Sequence, residues 1–209
     1  NRAFASFFVN SLNEINDPRL AVFTRNATDN DGNSIVYKGV DAAYDGNSSQ
    51  FDYSPSRPNS NFVMEPMKLV LMSYPEVEFI KAELAQKGFY SDAATHYTHG
   101  VKAAITLWTD VEPTVDYLAQ EEVMYNGSLE QIMTQKYYAL FFTDFQQWYE
   151  YRRTGFPVLP TTNTMLNNKK VPNRMLYPTS AQNLNTANYN TAVQNMGGDR
   201  IDVKVWWQN

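Results

Sequence analysis

The sequence predicts a mainly α fold of tetratricopeptide-like stacked helix pairs, with long loops and a few short strands. Three observations predict it. Between residues 73 and 155, apolar residues recur at helical spacing in segments separated by short turns. Those segments carry start and stop signals: Ser73 and Pro75 at one start, Gly88 at its end, and a Ser128-x-x-Gln131 capping box at another start. On either side, stretches rich in Asn, Gly, Ser and Pro break the periodicity. Helices joined by short turns stack as αα-hairpins, although no clean solenoid repeat consensus is present. The expected organisation is one domain: a loop-rich segment with short strands over 1–72, a helical-hairpin core over 73–155, and loop with short helices over 156–209 packed back on that core.

Taken in order, Phe4, Phe7, Phe8 and Leu12 predict a helix over 3–12 that ends before Asp17-Pro18. Leu20 to Phe23 reads as a short extended piece, residues 24–62 as mostly loop, and Ile35-Val36-Tyr37 as a strand. A helix from 74 carries Val77, Ile80 and Leu84 on its expected inner face and stops at Gly88. Ser91 is expected to cap the next helix, whose inner face is Tyr97, Val101, Ala104, Ile105 and Trp108, and Glu112-Pro113 breaks it. A third helix is expected over about 114–125. A fourth turns Leu129, Ile132, Met133, Lys136, Leu140 and Phe141 inward. A short helix over 144–153 ends at Gly155, and residues 171–178 are held extended by their prolines. Short helices start near Ser180 and cover about 188–196. Phe141, Phe145, Trp148 and Tyr151 are expected to pin the last helices together, and Trp206-Trp207 to cover apolar surface.

The composition excludes several classes. Net charge is −5 and the 17 basic residues are scattered, which argues against binding nucleic acid through its phosphates. There is no cysteine, so disulfides and thiolate metal sites are excluded. No apolar run of about 18 residues reads as a membrane-spanning helix. The chain begins at Asn1 without a Met and reads as a fragment or processed product, with any targeting signal upstream. Aromatic residues make up 14%, and asparagine is abundant in the loops. Rings and side-chain amides together suit carbohydrate, whose sugars offer C–H faces and hydroxyls, although most rings in a domain are buried for their area.

The candidate chemistry is sparse. Asp29, Asp31 and Asn33 could offer oxygens to a structural calcium ion, but Gly32 sits at the fourth position and no Glu closes the loop, so a plain turn competes. Glu76 and Glu78 stand two apart on a helix and face different ways, which does not make the carboxylate pair of a glycosidase. Ordinary solvated or capping roles are expected for Glu78 and Glu83. His96 and His99 could touch one metal from i, i+3, with no third ligand in view. Arg152 and Arg153, at a helix C-terminus, are expected to brace the last carbonyls or a neighbouring acid. Asn26, Asn47 and Asn126 fit the glycosylation pattern, and no Gly-x-Ser-x-Gly or P-loop appears.

Three blocks carry a resemblance. Ser73-Tyr74-Pro75-Glu76-Val77-Glu78-Phe79-Ile80-Lys81-Ala82-Glu83 resembles a helix of SusD/RagB-type proteins. Gln135 to Phe141, continued by Trp148-Tyr149-Glu150-Tyr151-Arg152-Arg153-Thr154-Gly155-Phe156-Pro157, is similar to their "RRTG-P" signature. Val171 to Pro178, Asn185 and Val205-Trp206-Trp207 resemble their closing motifs, and Asp17-Pro18-Arg19 and Tyr37-Lys38-Gly39 fit an upstream segment. Pro75 and Tyr137-Tyr138 depart from the usual residues at packing positions. The resemblance implies the C-terminal half of an outward-facing outer-membrane lipoprotein of the SusD-like, starch-binding-associated type. Its anchor would lie in the other half. It implies a non-catalytic protein, without a cofactor, that binds glycan and delivers it to a SusC-type TonB-dependent transporter. Peptide binding and a helical adaptor without its own glycan ligand are the alternatives. Ligand contacts in such proteins sit on loops, so Tyr44, Phe51, Tyr53 and Arg57 are the candidate binding residues.

Overall fold

The computed structural model describes residues 3–42, 51–60, 68–166 and 168–208. Helices dominate, as the sequence predicts. They are α1 (Ser6–Glu14), α2 (Arg19–Phe23), α3 (Tyr74–Gln86), α4 (Ala93–Thr109), α5 (Val115–Leu118), α6 (Leu129–Ala139), α7 (Gln146–Thr154), α8 (Thr179–Leu184) and α9 (Thr186–Met196). Two two-residue strands, β1 (Thr28–Asp29) and β2 (Tyr53–Ser54), pair antiparallel with Thr28 opposite Ser54 and Asp29 opposite Tyr53. The core lies between α3, α4 and α6, closed at one end by α1 and α2.

Local signals explain most boundaries. Ser73 Oγ accepts from Glu76 N at the start of α3, and Gly88, at φ 81°, turns the chain beyond its end. Ser128 Oγ accepts from Gln131 N to cap α6, but the Gln131 amide does not return the bond; it donates to Glu122 O and Tyr97 Oη. α4 is entered differently from the expected Ser91 cap. Asp92 takes a left-handed conformation at φ 58°, with no side-chain cap. The inner face of α4 is the expected one, with Tyr97, Val101, Ala104, Ile105 and Trp108 all buried. Gly100 lies on it too. A Cβ there would stand 2.9 Å from the Phe79 ring, so the missing side chain sets how closely α3 approaches α4.

Four expectations are corrected. Leu20 to Phe23 is helical, because Asp17 acts as a cap: Arg19 N donates to its Oδ1 at 2.9 Å, and Pro18 suits a helix start. Ile35 to Tyr37 forms no regular strand, although Ile35 N donates to Ala27 O at 2.9 Å. α5 is a single turn rather than a helix to 125, because turns follow it and Gln120 Nε2 reaches back to Ile15 O. The buried face of α3 is Pro75, Glu78, Phe79, Ala82 and Glu83, whereas Ile80 and Leu84 face outward. A count of apolar residues alone chose the wrong stripe, since two of the inward residues are carboxylates.

The aromatic stretch after α6 divides in two. Phe141 does join elements. Its ring stacks 4.9 Å from Phe8 and lies 4.3 Å from Phe23. Phe142 follows at φ 65°, an outlier for a bulky residue, and the chain reverses there. α7, in contrast, buries no residue fully, and Phe145 is 47% exposed. Trp206 is 95% exposed and covers nothing among the described residues. α7 is held by polar and stacking contacts instead. Trp148 Nε1 donates to Pro172 O at 2.8 Å, and the Arg152 guanidinium lies between the Trp148 and Trp207 rings at 4.4 and 4.6 Å.

Candidate functional site

Two closed charge networks show what most of the prominent ionic side chains do. Arg153 gives Glu83 a bidentate pair, Nη1 to Oε1 and Nη2 to Oε2, both at 2.6 Å. Its Nη2 also reaches Glu150 Oε2 at 2.6 Å, and the buried Lys136 ammonium lies 2.9 Å from the same oxygen. Lys87 adds a bond to Glu83. Burial would raise the Glu83 carboxyl, but the bonds from Arg153 and Lys87 outweigh it and hold the group at about 2. Glu83 is therefore the inner end of a network tying α3, α6 and α7, not a solvated side chain, and Arg153 braces a neighbouring acid as the sequence suggests. The second network is fully enclosed. Arg19 grips Asp17 through Nε and Nη2 at 2.9 and 2.6 Å, with both side chains inaccessible to water. Tyr117 Oη donates to Asp17 Oδ2 at 2.7 Å, and Tyr138 presents its ring to the guanidinium.

The opposite arrangement is found around β1 and β2. The strand register puts Thr28 and Ser54 on one face and Asp29 and Tyr53 on the other. On the first face, Arg25, Asn26, Thr28, Ser34, Ser54 and Arg57 line an open recess of about 420 Å³. Arg25 N donates to Arg57 O at 3.0 Å, which holds the two arginines side by side, and Asn26 Nδ2 donates to Ser34 Oγ at 3.0 Å. Both arginines are exposed, and neither guanidinium has an ion-pair partner among the described residues.

Of the four predicted binding residues, Arg57 lines this recess. Phe51 and Tyr53 come together elsewhere, with ring centres 5.4 Å apart. Tyr53 Oη donates to Gly39 O, and the Lys38 ammonium covers a face of its ring at 4.6 Å. Tyr44, like the Asn47 glycosylation pattern, lies outside the described residues. Sequence reasoning missed Arg25, Thr28, Ser34 and Ser54 as a group, because the pairing of residue 28 with residue 54 is non-local. Asn26 was visible only as part of a glycosylation pattern.

In the turn beside the recess, Asp29 Oδ1 accepts from Asp31 N and Asn33 N, and its Oδ2 accepts from Asn33 Nδ2. The Asn33 bonds lower the Asp29 carboxyl below its usual value. Both oxygens serve the turn itself, and a calcium ion would have to displace these donors. His96 and His99 sit on α4 facing the buried Glu78.

A family described as starch-binding and associating with the outer membrane, the SusD-like type, matches residues 1–178. The chain belongs to the SusD-like family. Solved structures agree on its fold. A SusD homologue from Bacteroides uniformis is 25% identical with a TM-score of 0.81, covering 98% of this chain and 49% of that one. A homologue from Bacteroides thetaiotaomicron, 23% identical with a TM-score of 0.81, covers 98% and 51%. A chitin-binding protein, 25% identical with a TM-score of 0.77, covers 98% and 49%. This SusD-like chain thus spans about half the length of the solved structures it matches. No curated protein matches it. No helix among the described residues is long and apolar enough to cross a membrane.

Proposed function

We propose that this chain is part of a non-catalytic, outward-facing glycan-binding protein of the outer membrane that passes its ligand to a SusC-type TonB-dependent transporter. Membership of the starch-binding family supports the general reading. The observation that carries it to particular residues is the Arg25–Arg57 recess, a concave row of amide, hydroxyl and guanidinium groups whose arginines form no ion pair among the described residues. Such groups match vicinal sugar hydroxyls, and two adjacent guanidiniums also suit a sugar carboxylate. Phe51 and Tyr53, paired on the segment that carries Arg57, are candidates for ring contacts, and Tyr44 is a further candidate on sequence position alone. Anchorage is through a lipid-bearing segment of a longer chain.

Affinity electrophoresis and isothermal calorimetry against starch, xylan, mannan, chitin oligosaccharides, uronic-acid polysaccharides, host glycans and peptides test this reading. Binding of at least one glycan, weakened tenfold or more by Arg25→Ala or Arg57→Ala, is the expected result. Silence across the glycans overturns it, and a response confined to peptides replaces it with peptide binding. The adaptor alternative draws on Leu69, Leu71 and Met72, an exposed apolar strip. Co-purification with a barrel transporter, unchanged by recess substitutions and without glycan affinity, favours that alternative.

A further inference from the structure

A cluster bridging α3 and α4 is absorbed by none of these roles. Glu78, on the inner face of α3, has a side chain only 2% exposed. His96 and His99, one turn apart on α4, converge on one of its oxygens. His96 Nδ1 lies 2.7 Å and His99 Nδ1 3.7 Å from Glu78 Oε2, and the three donor atoms all lie within 4.8 Å of one another. The sequence could not show this third ligand, because Glu78 belongs to the stripe of α3 that apolar counting sent to solvent.

The geometry suits a metal ion. Ligands about 2.0–2.1 Å from a tetrahedral zinc stand about 3.3 Å from one another. The two observed N···O distances straddle that value, so small side-chain rotations complete the site. Glu78 Oε1 is held separately by Lys81 Nζ at 2.7 Å, which leaves Oε2 to the histidines. The Tyr90 ring packs 5.2 Å from the His96 ring. His99 is half exposed, so solvent reaches the site and can fill a fourth position.

We propose that Glu78, His96 and His99 bind one divalent first-row transition ion of the zinc class and cross-link α3 to α4. Two imidazoles and a single carboxylate select such an ion over calcium or magnesium, which take mostly oxygen. The proposal is independent of the glycan reading, since the cluster shares no residue with the recess.

Tag-free, chelator-stripped full chain titrated with Zn²⁺ by calorimetry tests it, with Co²⁺ absorption as a second readout. One ion per chain is expected. The melting temperature should rise by about 5–10 °C at a hundredfold excess over Kd. His99→Ala, at an exposed position, should fold normally, weaken Zn²⁺ at least tenfold and abolish the visible Co²⁺ bands. His96→Asn should do the same. Zn²⁺ binding of wild-type strength in His99→Ala overturns the proposal. So does an absence of heat and thermal shift in the wild type, which would leave Glu78–His96 as a plain hydrogen bond. An effect seen with Ca²⁺ but not Zn²⁺ would overturn it as well.

Discussion

Two pairs of arginines, in two regions of the chain, treat the same side chain in opposite ways. In the helical block, Arg19 and Arg153 turn their donors onto internal carboxylates, one pair fully enclosed and the other tying α3 to α7. Around β1 and β2, Arg25 and Arg57 hold each other's backbone while their guanidiniums face water. A guanidinium closed on an acid of its own chain fixes architecture. One left open is available to a ligand. On the proposed reading, structural and ligand-binding arginines are separable by whether an acid of the fold takes their charge, not by how conspicuous they are in sequence.

The strongest way to break this contrast is Arg19→Met, which leaves Asp17 buried without its countercharge. We expect a loss of about 3–5 kcal/mol, read from denaturant unfolding. A loss below 1 kcal/mol would show that the enclosed pair contributes little to architecture.

Glu83→Gln comes next. Arg153 is partly exposed and so partly screened, and the expected cost is about 1–3 kcal/mol at neutral pH. The folded-state carboxyl sits near 2, against about 4.5 when free. Its contribution is therefore full above about pH 4.5 and is lost as the pH falls toward 2. The variant should flatten the fall of unfolding free energy across that window. An unchanged acid limb would separate Glu83 from the network.

Trp148→Ala ranks third, at about 1–2 kcal/mol, because the half-buried ring loses its bond to Pro172 O and its stacking on Arg152. A collapse of the fold on this change would restore the tryptophan as the pin of α7. Arg57→Ala has the smallest expected effect on stability, within about 0.5 kcal/mol by thermal melt, while weakening glycan at least tenfold. A melting change as large as that of Glu83→Gln would place Arg57 with the closed arginines.

The helices were legible where the apolar period held, as in α4, and most fully where capping agreed with it, as in α6. They misled where polar residues go inside. α3 hides Glu78 and Glu83 on its core face, where local lysines, Lys81 and Lys87, and partners distant in the chain, His96 and Arg153, together make that burial tolerable. α2 was misread because four apolar residues fit a strand or a helix equally, and the Asp17 cap decided. For the candidate site, Arg57 was legible as a loop residue. Its neighbours were not, since Thr28 and Ser54 meet only through pairing across a long loop.

The Asp17–Arg19 pair has a consequence for the order of events at the ribosome. Its two members stand two apart in the chain and emerge together. Tyr117, which completes the enclosure, follows Asp17 by 100 residues, and Gln135 follows Arg19 by 116. At about 5–20 residues per second, the pair waits roughly 5–20 s in water before α5 and α6 exist to cover it. During that interval Phe8, Leu12 and Phe23 wait for the core partners that α4 and α6 supply, Trp108 beside Phe23 and Tyr138 beside Phe8 among them.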